Sequence, residues 1–275
     1  MSISKITPEP TAATPERPTS YRFLLSRRWL GLLLAVLVVS SACYELGRWQ
    51  FHRYAERHDS NAVTRANLAA APAPLDDVMS TDAPPSSTDE WRRVEVTGSY
   101  DADRQLAVLY RTRSGAPGID IVTPLVTSSG AAVLVDRGWQ QTAGNGNQVN
   151  DLPAPPGSTV TVTGWVRLNS SDSGNRVAPS DGSVRSISSI AIAPTLPYPL
   201  YQGFLDLTGE SQTVKPSPAR ADPPDLSGGP SFFYGVQWWF FALLAIGFWV
   251  YFAYAERNGT KRRADTADPE VTDRE

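Results

Sequence analysis

Two short stretches of the chain hold chemistry-capable side chains at close spacing. LGRWQFHR, residues 46–53, carries Trp49, Gln50, His52 and Arg53; YGVQWWFF, residues 234–241, carries Tyr234, Gln237 and Trp238. On a helix Trp49 and Arg53 share one face, with Glu45 and Glu56 close to it. A planar guanidinium in such a setting suits pairing with an acidic group. The same residues also suit a plainer use, as an interfacial aromatic and a snorkelling Arg where a helix leaves a bilayer. Gln237 is harder to read that way. Its amide stands about one turn inside an apolar run, where an unpaired polar group is costly, so a partner is expected, with Gln50 and Arg53 as candidates.

Other chemistry is thinly represented. The single cysteine, Cys43, allows no intramolecular disulfide, and with His52 and His58 as the only histidines there is no His/Cys cluster at metal-ligand spacing. No metal site is therefore expected. No glycine-framed serine nucleophile and no phosphate-cradling glycine loop occurs, and the adjacent Asp76 and Asp77 point different ways, so enzyme activity is not expected. A formal net charge of -3 over 275 residues, with Arg interleaved among acids, argues against a nucleic-acid partner.

These residues sit beside two uncharged runs. WLGLLLAVLVVSSACY covers residues 29–44 and FFYGVQWWFFALLAIGFWVYFAYA covers 232–255. At 1.5 Å per residue the second is about 36 Å long, enough to cross a hydrocarbon core. The first reads as an uncleaved anchor; its competitor is a cleaved signal peptide, since a basic flank, an apolar run and the small Ser41 and Ala42 imitate a processing site. Arg17, Arg22, Arg27 and Arg28 precede the first run, while Arg257, Lys261, Arg262 and Arg263 follow the second, which predicts a multi-pass protein with both termini cytoplasmic. Arg48, Arg53 and Arg57 on the opposite flank weigh against this, with Glu45, Glu56 and Asp59 interleaved among them. An Arg-rich, Lys-poor composition fits a bacterial cell membrane; a mitochondrial inner membrane is the alternative.

Between the runs the apolar period changes to two. WRRVEVTGSY, QLAVLYRTR, GIDIVTPLVT, AAVLVDRGW and TVTVTGWVRL are separated by Gly, Pro, Asp and Asn, and YPLYQGFLDLT reads as a last strand. Short connections favour an antiparallel sheet closing into a barrel or sandwich. The predicted fold is a membrane α + β protein: two transmembrane helices, N- and C-terminal, flanking an extracytoplasmic antiparallel β domain. The boundaries are a disordered cytoplasmic tail at 1–26, a helix with its outer extension at 27–54, a linker at 55–90, the β domain at 91–229, a helix at 230–255 and a second disordered tail at 256–275. This connectivity sets the outer ends of the two helices, 46–53 and 231–238, side by side. Within VDRGW, Asp136 and Arg137 are expected to pair across a hairpin, Gly138 to make a bulge and Trp139 to cap the barrel. Arg111 and Arg137 are alternatively candidates for a polar surface that a partner uses, and Asp120 is expected at an edge facing water.

The order of these signatures resembles the surfeit locus protein 1 family, assembly factors for haem–copper cytochrome c oxidases. The resemblance spans residues 46–238. It rests on LGRWQ with Arg53, on RRVEVTGSYD with Arg92, Gly98 and Tyr100, on VLYRTR with Arg111 leading to GIDIVTPL with Gly118, Thr123 and Pro124, on VLVDRGW with Asp136, Arg137, Gly138 and Trp139, on VTVTGWVR with Gly164, and on YGVQWW. It implies a binding protein that aids haem a insertion or stabilises the catalytic subunit during maturation, with haem a as a possible transient cofactor. It implies Trp49, Gln50, Arg53, Tyr234, Gln237 and Trp238 as the haem- or partner-binding set. Partners would be the oxidase catalytic subunit, other oxidase or supercomplex subunits, and the lipid bilayer. Many members carry a His three residues before the motif Tyr, a position implicated in haem a ligation; here it is Ser231, and serine is not an axial ligand. His52 is the possible substitute ligand. That departure also suits an alternative reading, a permanent accessory subunit of the oxidase or of a respiratory supercomplex.

Overall fold

The computed structural model describes residues 21–147 and 152–265, with 258–265 described by backbone alone. The chain divides into two compact units. One comprises residues up to Ala55 and from Gly228 onward; the other is Glu56–Ser227. Residues 1–20 of the expected tail at 1–26, and residues 148–151 between the strand segments AAVLVDRGW and TVTVTGWVRL, lie outside the described residues.

The first unit is built on two helices, α1 (Arg27–Ala69) and α3 (Ser231–Asp265), separated in the chain by the β unit and a four-residue helix, α2 (Ser189–Ile192). Among the described residues, α1 and the segment Ser231–Arg257 are the two helices long and apolar enough to cross a membrane. Along α1 a shielded stripe runs through Trp29, Leu33, Val36, Ser40, Cys43, Gly47, Gln50 and Tyr54, with Phe51 beside it; along α3 it runs through Ser231, Gly235, Trp238, Ala242, Ala245 and Trp249, with Ala253 one turn further. Both sets alternate steps of three and four, the period that keeps one stripe facing a partner helix. The remaining faces are exposed apolar surface, including Leu34, Leu37, Phe240 and Leu243, as a lipid-facing surface requires. Small residues set how closely the helices approach. A Cβ on Gly47 would lie 2.3 Å from the Trp239 indole, and one on Gly235 would lie 2.9 Å from the Phe51 ring. Across the seam Ser40 Oγ donates to the Ala242 carbonyl at 3.4 Å, and Trp29 packs edge-on against Trp249 at 5.9 Å.

Both helices run past their predicted ends. α1 continues to Ala69 instead of yielding to a linker at 55, because residues 55–69 are rich in helix formers and contain neither Gly nor Pro; Pro72 lies just beyond the stop. Its last turns belong to the β unit, where Asn67 Nδ2 donates to the carbonyls of Thr88 at 2.7 Å and Glu90 at 2.9 Å. α3 continues to Asp265, past the predicted end at 255.

The β unit has eight strands: β1 (Ala73–Pro74), β2 (Arg93–Tyr100), β3 (Leu106–Arg113), β4 (Ala116–Thr127), β5 (Ala132–Gln141), β6 (Val160–Arg167), β7 (Ser183–Val184) and β8 (Leu200–Glu210). The ring β2–β6–β8–β5–β4 closes because β4 is long enough to pair with β3 at its start and β2 at its end. The result is the closed barrel between two helices that the sequence predicts, but the sheet is not wholly antiparallel: within the ring β5 and β8 are parallel, and the two-residue strands β1 and β7 pair parallel with β2 and β3. The chain between them passes through β6 and a long covering segment, the kind of crossover that parallel pairing needs. The β3–β4 hairpin turns on Ser114 and Gly115, both at positive φ, and β4–β5 turns on Gly130.

Alternation sorts the side chains of β2 and β6 cleanly. β5 is buried on both faces from Ala132 to Gly138. Val133 and Val135 join Val94, Leu125, Val162 and Leu205 inside the barrel, while Ala132 and Leu134 pack outside it against Val108, Val122, Ile187 and Ile192. The outer layer is covered by 184–198, a segment that includes α2. Leu75 and Met79, within the expected linker, are buried in the barrel core.

Two expectations for single residues are overturned. Asp120 is not at a water-facing edge: β4 lies between β3 and β5, and Asp120 pairs with Arg111 on the neighbouring strand. Asp136 and Arg137 do not pair across the hairpin, since consecutive strand residues point to opposite faces. Gly138 does sit at a bulge, where three steps on β5 from Asp136 to Trp139 oppose two on β4 from Val122 to Asp120.

Barrel closure depends on Gly98, which pairs with Thr127 of β4 and Val160 of β6; a Cβ there would lie 2.5 Å from the Val126 carbonyl oxygen. Gly98→Ala should cost the β unit about 1–3 kcal/mol, the usual penalty of overpacking, read as a lowered thermal midpoint. In a Cys43→Ala background, Ser40→Cys and Ala242→Cys should form a disulfide across the seam, and Gly47→Leu should suppress it by driving Trp239 off α1.

Candidate functional site

The residues of the two sequence stretches meet within the first unit. Phe51 and Tyr54 of α1 both contact Phe232 of α3 at ring separations of 5.7 Å, and Phe51 lies 4.8 Å from Trp239. Because Gly47 has no side chain, the Trp239 indole lies close against α1, stacks near Tyr44 at 6.1 Å and donates through Nε1 to the Tyr44 carbonyl at 3.4 Å. Beside it opens a cavity of about 670 Å³ lined by Tyr44, Glu45, Arg48, Trp49, Phe51, His52, Ala55 and Trp239. Arg48 is anchored at one wall by Glu45, 3.2 Å away.

Of the predicted binding set, Trp49 lines this cavity together with His52. Gln50 and Trp238 are shielded on the seam, as is Ser231, whereas Arg53, Tyr234 and Gln237 lie off it on exposed flanks. Gln237 therefore does not reach into the seam for a partner there. Sequence reasoning missed Tyr44, Arg48 and Trp239 as cavity walls. The signal that finds them is the alternation of three- and four-residue steps, which places Gly47 opposite Gly235 and leaves the adjoining aromatics to fill the gap.

The β unit holds a second polar site, a cleft of about 330 Å³ on the outer face of the barrel, lined in part by Arg111, Arg113, Asp120, Asp136, Trp139, Arg167 and Asp206. Arg111 Nε lies 2.8 Å from Asp120 Oδ2 without aligning its N–H on that oxygen. Arg167 bridges Asp206 at 2.7 Å and Glu90 at 3.2 Å, with its guanidinium 3.9 Å from the centre of the Trp91 ring. Arg113 pairs with Asp222. Asp136 Oδ1 accepts the Gly138 backbone N–H at 2.9 Å. Burial, then the nearby Asp120 and Asp206, hold the Asp136 carboxyl well above the usual carboxylate range. Burial raises Asp120 and Asp206 as well, against the opposing pull of Arg111 and Arg167 respectively.

Arg137, the next residue along β5, turns into the barrel. Its Nη1 donates to Gln105 Oε1 at 2.9 Å and to the Pro153 carbonyl at 2.8 Å; Gln105 Oε1 also accepts from Thr123 Oγ1 at 2.8 Å. The Tyr100 ring lies 5.6 Å from the guanidinium, and burial followed by Glu210 raises the Tyr100 hydroxyl above its ordinary range. Pro124 pairs with Leu134 and its carbonyl accepts the Asp101 N–H. Arg92 hydrogen-bonds by backbone to Val166 while its buried Nε has no partner among the described residues. Trp139 fills the space that Gly118 leaves and exchanges backbone hydrogen bonds with Ala219. Arg111, Asp136, Gly138 and Trp139 thus share the outer cleft, and Arg137, Thr123 and Tyr100 share the interior. Among the described residues no group of His, Cys, Asp and Glu is placed to hold a metal ion.

The raised carboxyls fix a sign for pH dependence. The native state keeps protons on Asp136, Asp120 and Asp206 at pH values where an unfolded Asp has lost them, so unfolding releases protons there and stability falls as pH rises above about 4. Asp136→Asn keeps the acceptor for Gly138 and removes the ionisation. It should flatten that fall in thermal-unfolding midpoints and leave the variant more stable than the parent at the alkaline end.

Residues 37–243 match the SURF1 family. An uncharacterized SURF1-like protein of Mycobacterium tuberculosis (strain H37Rv) is 31% identical over 258 residues, covering 90% of this chain and 91% of its own. The cytochrome oxidase assembly protein SHY1 of Saccharomyces cerevisiae is 28% identical over 142 residues, covering 50% of this chain and 35% of its own. Surfeit locus protein 1 of Xenopus tropicalis is 29% identical over 161 residues, covering 52% and 48%. The match runs from the shielded stripe of α1 through every strand of the barrel to the matching stripe of α3, and the chain belongs to the SURF1 family.

Proposed function

We propose that the chain is an assembly factor for a haem–copper cytochrome oxidase, held in the membrane by α1 and α3, and that it binds the immature catalytic subunit and haem a as cargo. The reading is carried by the cavity beside the glycine seam. Aromatic walls at Tyr44, Trp49, Phe51 and Trp239 suit a flat apolar macrocycle, Arg48 suits its carboxylates, and a volume of about 670 Å³ lies within the range of small-ligand sites. These residues fit the group. His52 is the residue on this wall that would hold the iron of the cargo, in place of the imidazole that Ser231 does not supply. Trp49 would hold the ring, and Gln50, Trp238 and Ser231 would support the wall from the seam. The chemistry is binding without turnover, since no nucleophile–base pair lines the cavity.

The SHY1 relative bears the name of a cytochrome oxidase assembly protein, which supports the choice of partner. The arginines before α1, together with Arg257, Lys261, Arg262 and Arg263, favour cytoplasmic termini, which puts Glu56–Ser227 outside the cytoplasm in a bacterial cell membrane.

The test is to purify the tagged chain from membranes, record a pyridine haemochrome spectrum, and identify the proteins that accompany it. Haem a together with immature catalytic subunit is expected. Trp49→Ala and His52→Ala should each reduce the haem a recovered by at least tenfold while the chain's own yield is kept. Recovery in fixed stoichiometry with the mature oxidase would instead make the chain a permanent accessory subunit, and recovery of neither haem nor oxidase protein would overturn the assignment.

A further inference from the structure

We propose that the cleft on the outer face of the barrel, floored by Asp136 and walled by Trp139 and Phe204, binds an organic monocation of the guanidinium class. All its lining residues belong to the β unit. Three guanidinia, Arg111, Arg113 and Arg167, face four carboxylates, Asp120, Asp222, Asp206 and Glu90, with Arg167 shared between the last two. Asp136 is a fifth carboxyl. It is only 7% exposed, it lines the cleft, and among the described residues it has no cationic partner. One of its oxygens takes the Gly138 N–H; the other accepts no hydrogen bond from the described residues. Every other carboxylate of the group has an arginine. Glu90 does not line the cleft, so among the lining residues three guanidinia face four carboxyls, one positive charge too few, and the unmatched carboxyl is a buried acceptor that faces the space where that charge would sit.

Charge also decides against an anion, which would add to the carboxylate excess in a poorly solvated site. A bare metal ion is disfavoured because no donor group of the required kind converges there among the described residues. The roughly 330 Å³ of space and the aromatic side chains of Trp139 and Phe204 suit a planar delocalised cation, which can stack on a ring and direct several N–H groups to separate carboxylate oxygens.

Without the cation, the buried carboxyl of Asp136 faces Asp120 from β4 and Asp206 from β8, with Arg111 of β3 opposing them, and it holds its proton well above the usual carboxylate range. Arg167 of β6 and Arg113 of β3 are engaged by their own acids. Entry of a guanidinium breaks the Asp136 O–H bond, sends that proton to solvent, and leaves a carboxylate that accepts the guanidinium N–H. One proton leaves for each cation bound. A free small guanidinium compound and an arginine side chain of a partner polypeptide share this chemistry.

The test is calorimetric titration of the full chain in detergent micelles with methylguanidinium, run in two buffers of different ionisation enthalpy and at several pH values. Saturable binding is expected, with one proton released per cation below the Asp136 titration and an affinity that rises about tenfold per pH unit before levelling off. Asp136→Asn should weaken binding at least tenfold and abolish the proton release. A parallel titration with an acetylated, amidated Gly-Arg-Gly peptide separates the two sources: tighter binding than methylguanidinium points to a partner's arginine, and equal binding points to a free cation. Non-saturable binding, binding without proton release, or unchanged binding by Asp136→Asn would overturn the assignment. If that variant does not fold, the proton count of the parent chain decides alone.

Discussion

Two missing side chains control the helical unit. At Gly47 and Gly235 the facing backbones carry only hydrogen, and the space is taken by the Trp239 indole and the Phe51 ring. This is a packing interaction more than a hydrophobic one, since lipid tails solvate an apolar ring about as well as another helix does. It fixes the rotation of both helices. With the seam stripe turned inward, Trp49 and His52 come to one wall of the cavity beside Trp239, while Arg53, Tyr234 and Gln237 are carried to the outside. Rotating α1 by one residue, about 100°, would turn Trp49 and His52 off that wall.

In the β unit the controlling constraint is the two-residue period of a strand that is buried on both faces. β5 sends Val133, Val135 and Arg137 into the barrel and Ala132, Leu134 and Asp136 to the covered outer face. A buried charge needs partners on its own side. Arg137 finds a side-chain amide and backbone carbonyls; Asp136 finds a backbone N–H and two other acids. The same strand therefore builds a hydrogen-bonded structural network on one side, in which Arg137 Nε alone of that guanidinium has no partner among the described residues, and a proton-retaining carboxyl on the other.

Much of this was legible in the sequence. Long uncharged runs and a period-two middle give the two helices and the barrel, and the Gly, Pro, Asp and Asn between the strand segments mark where the chain turns. The linker was not legible past residue 55, because nothing in the local pattern of Leu75 and Met79 says that they are drawn into a barrel core. Asp120 was misplaced because strand order, which alternation does not encode, decides whether a polar residue is at an edge. In the candidate site, residue types were readable while their sharing of a wall was not: i to i+4 spacing joins Trp49 to Arg53, yet the seam's register joins Trp49 to His52 and to Trp239 on the other helix. Arg48, read only as an outer-flank charge, gains its place through Glu45 and that same register.

The proposed function needs α1 and α3 to be a transmembrane hairpin whose aromatic cavity lies at the outer end, with the barrel outside the cytoplasm. Labelling by a membrane-impermeant maleimide tests this directly, using Ser128→Cys in the exposed β4–β5 turn and Arg22→Cys ahead of α1, each in a Cys43→Ala background. Ser128→Cys is expected to react in intact cells and Arg22→Cys only after permeabilisation; reaction of Arg22→Cys in intact cells with Ser128→Cys protected would contradict the orientation on which the proposed function rests.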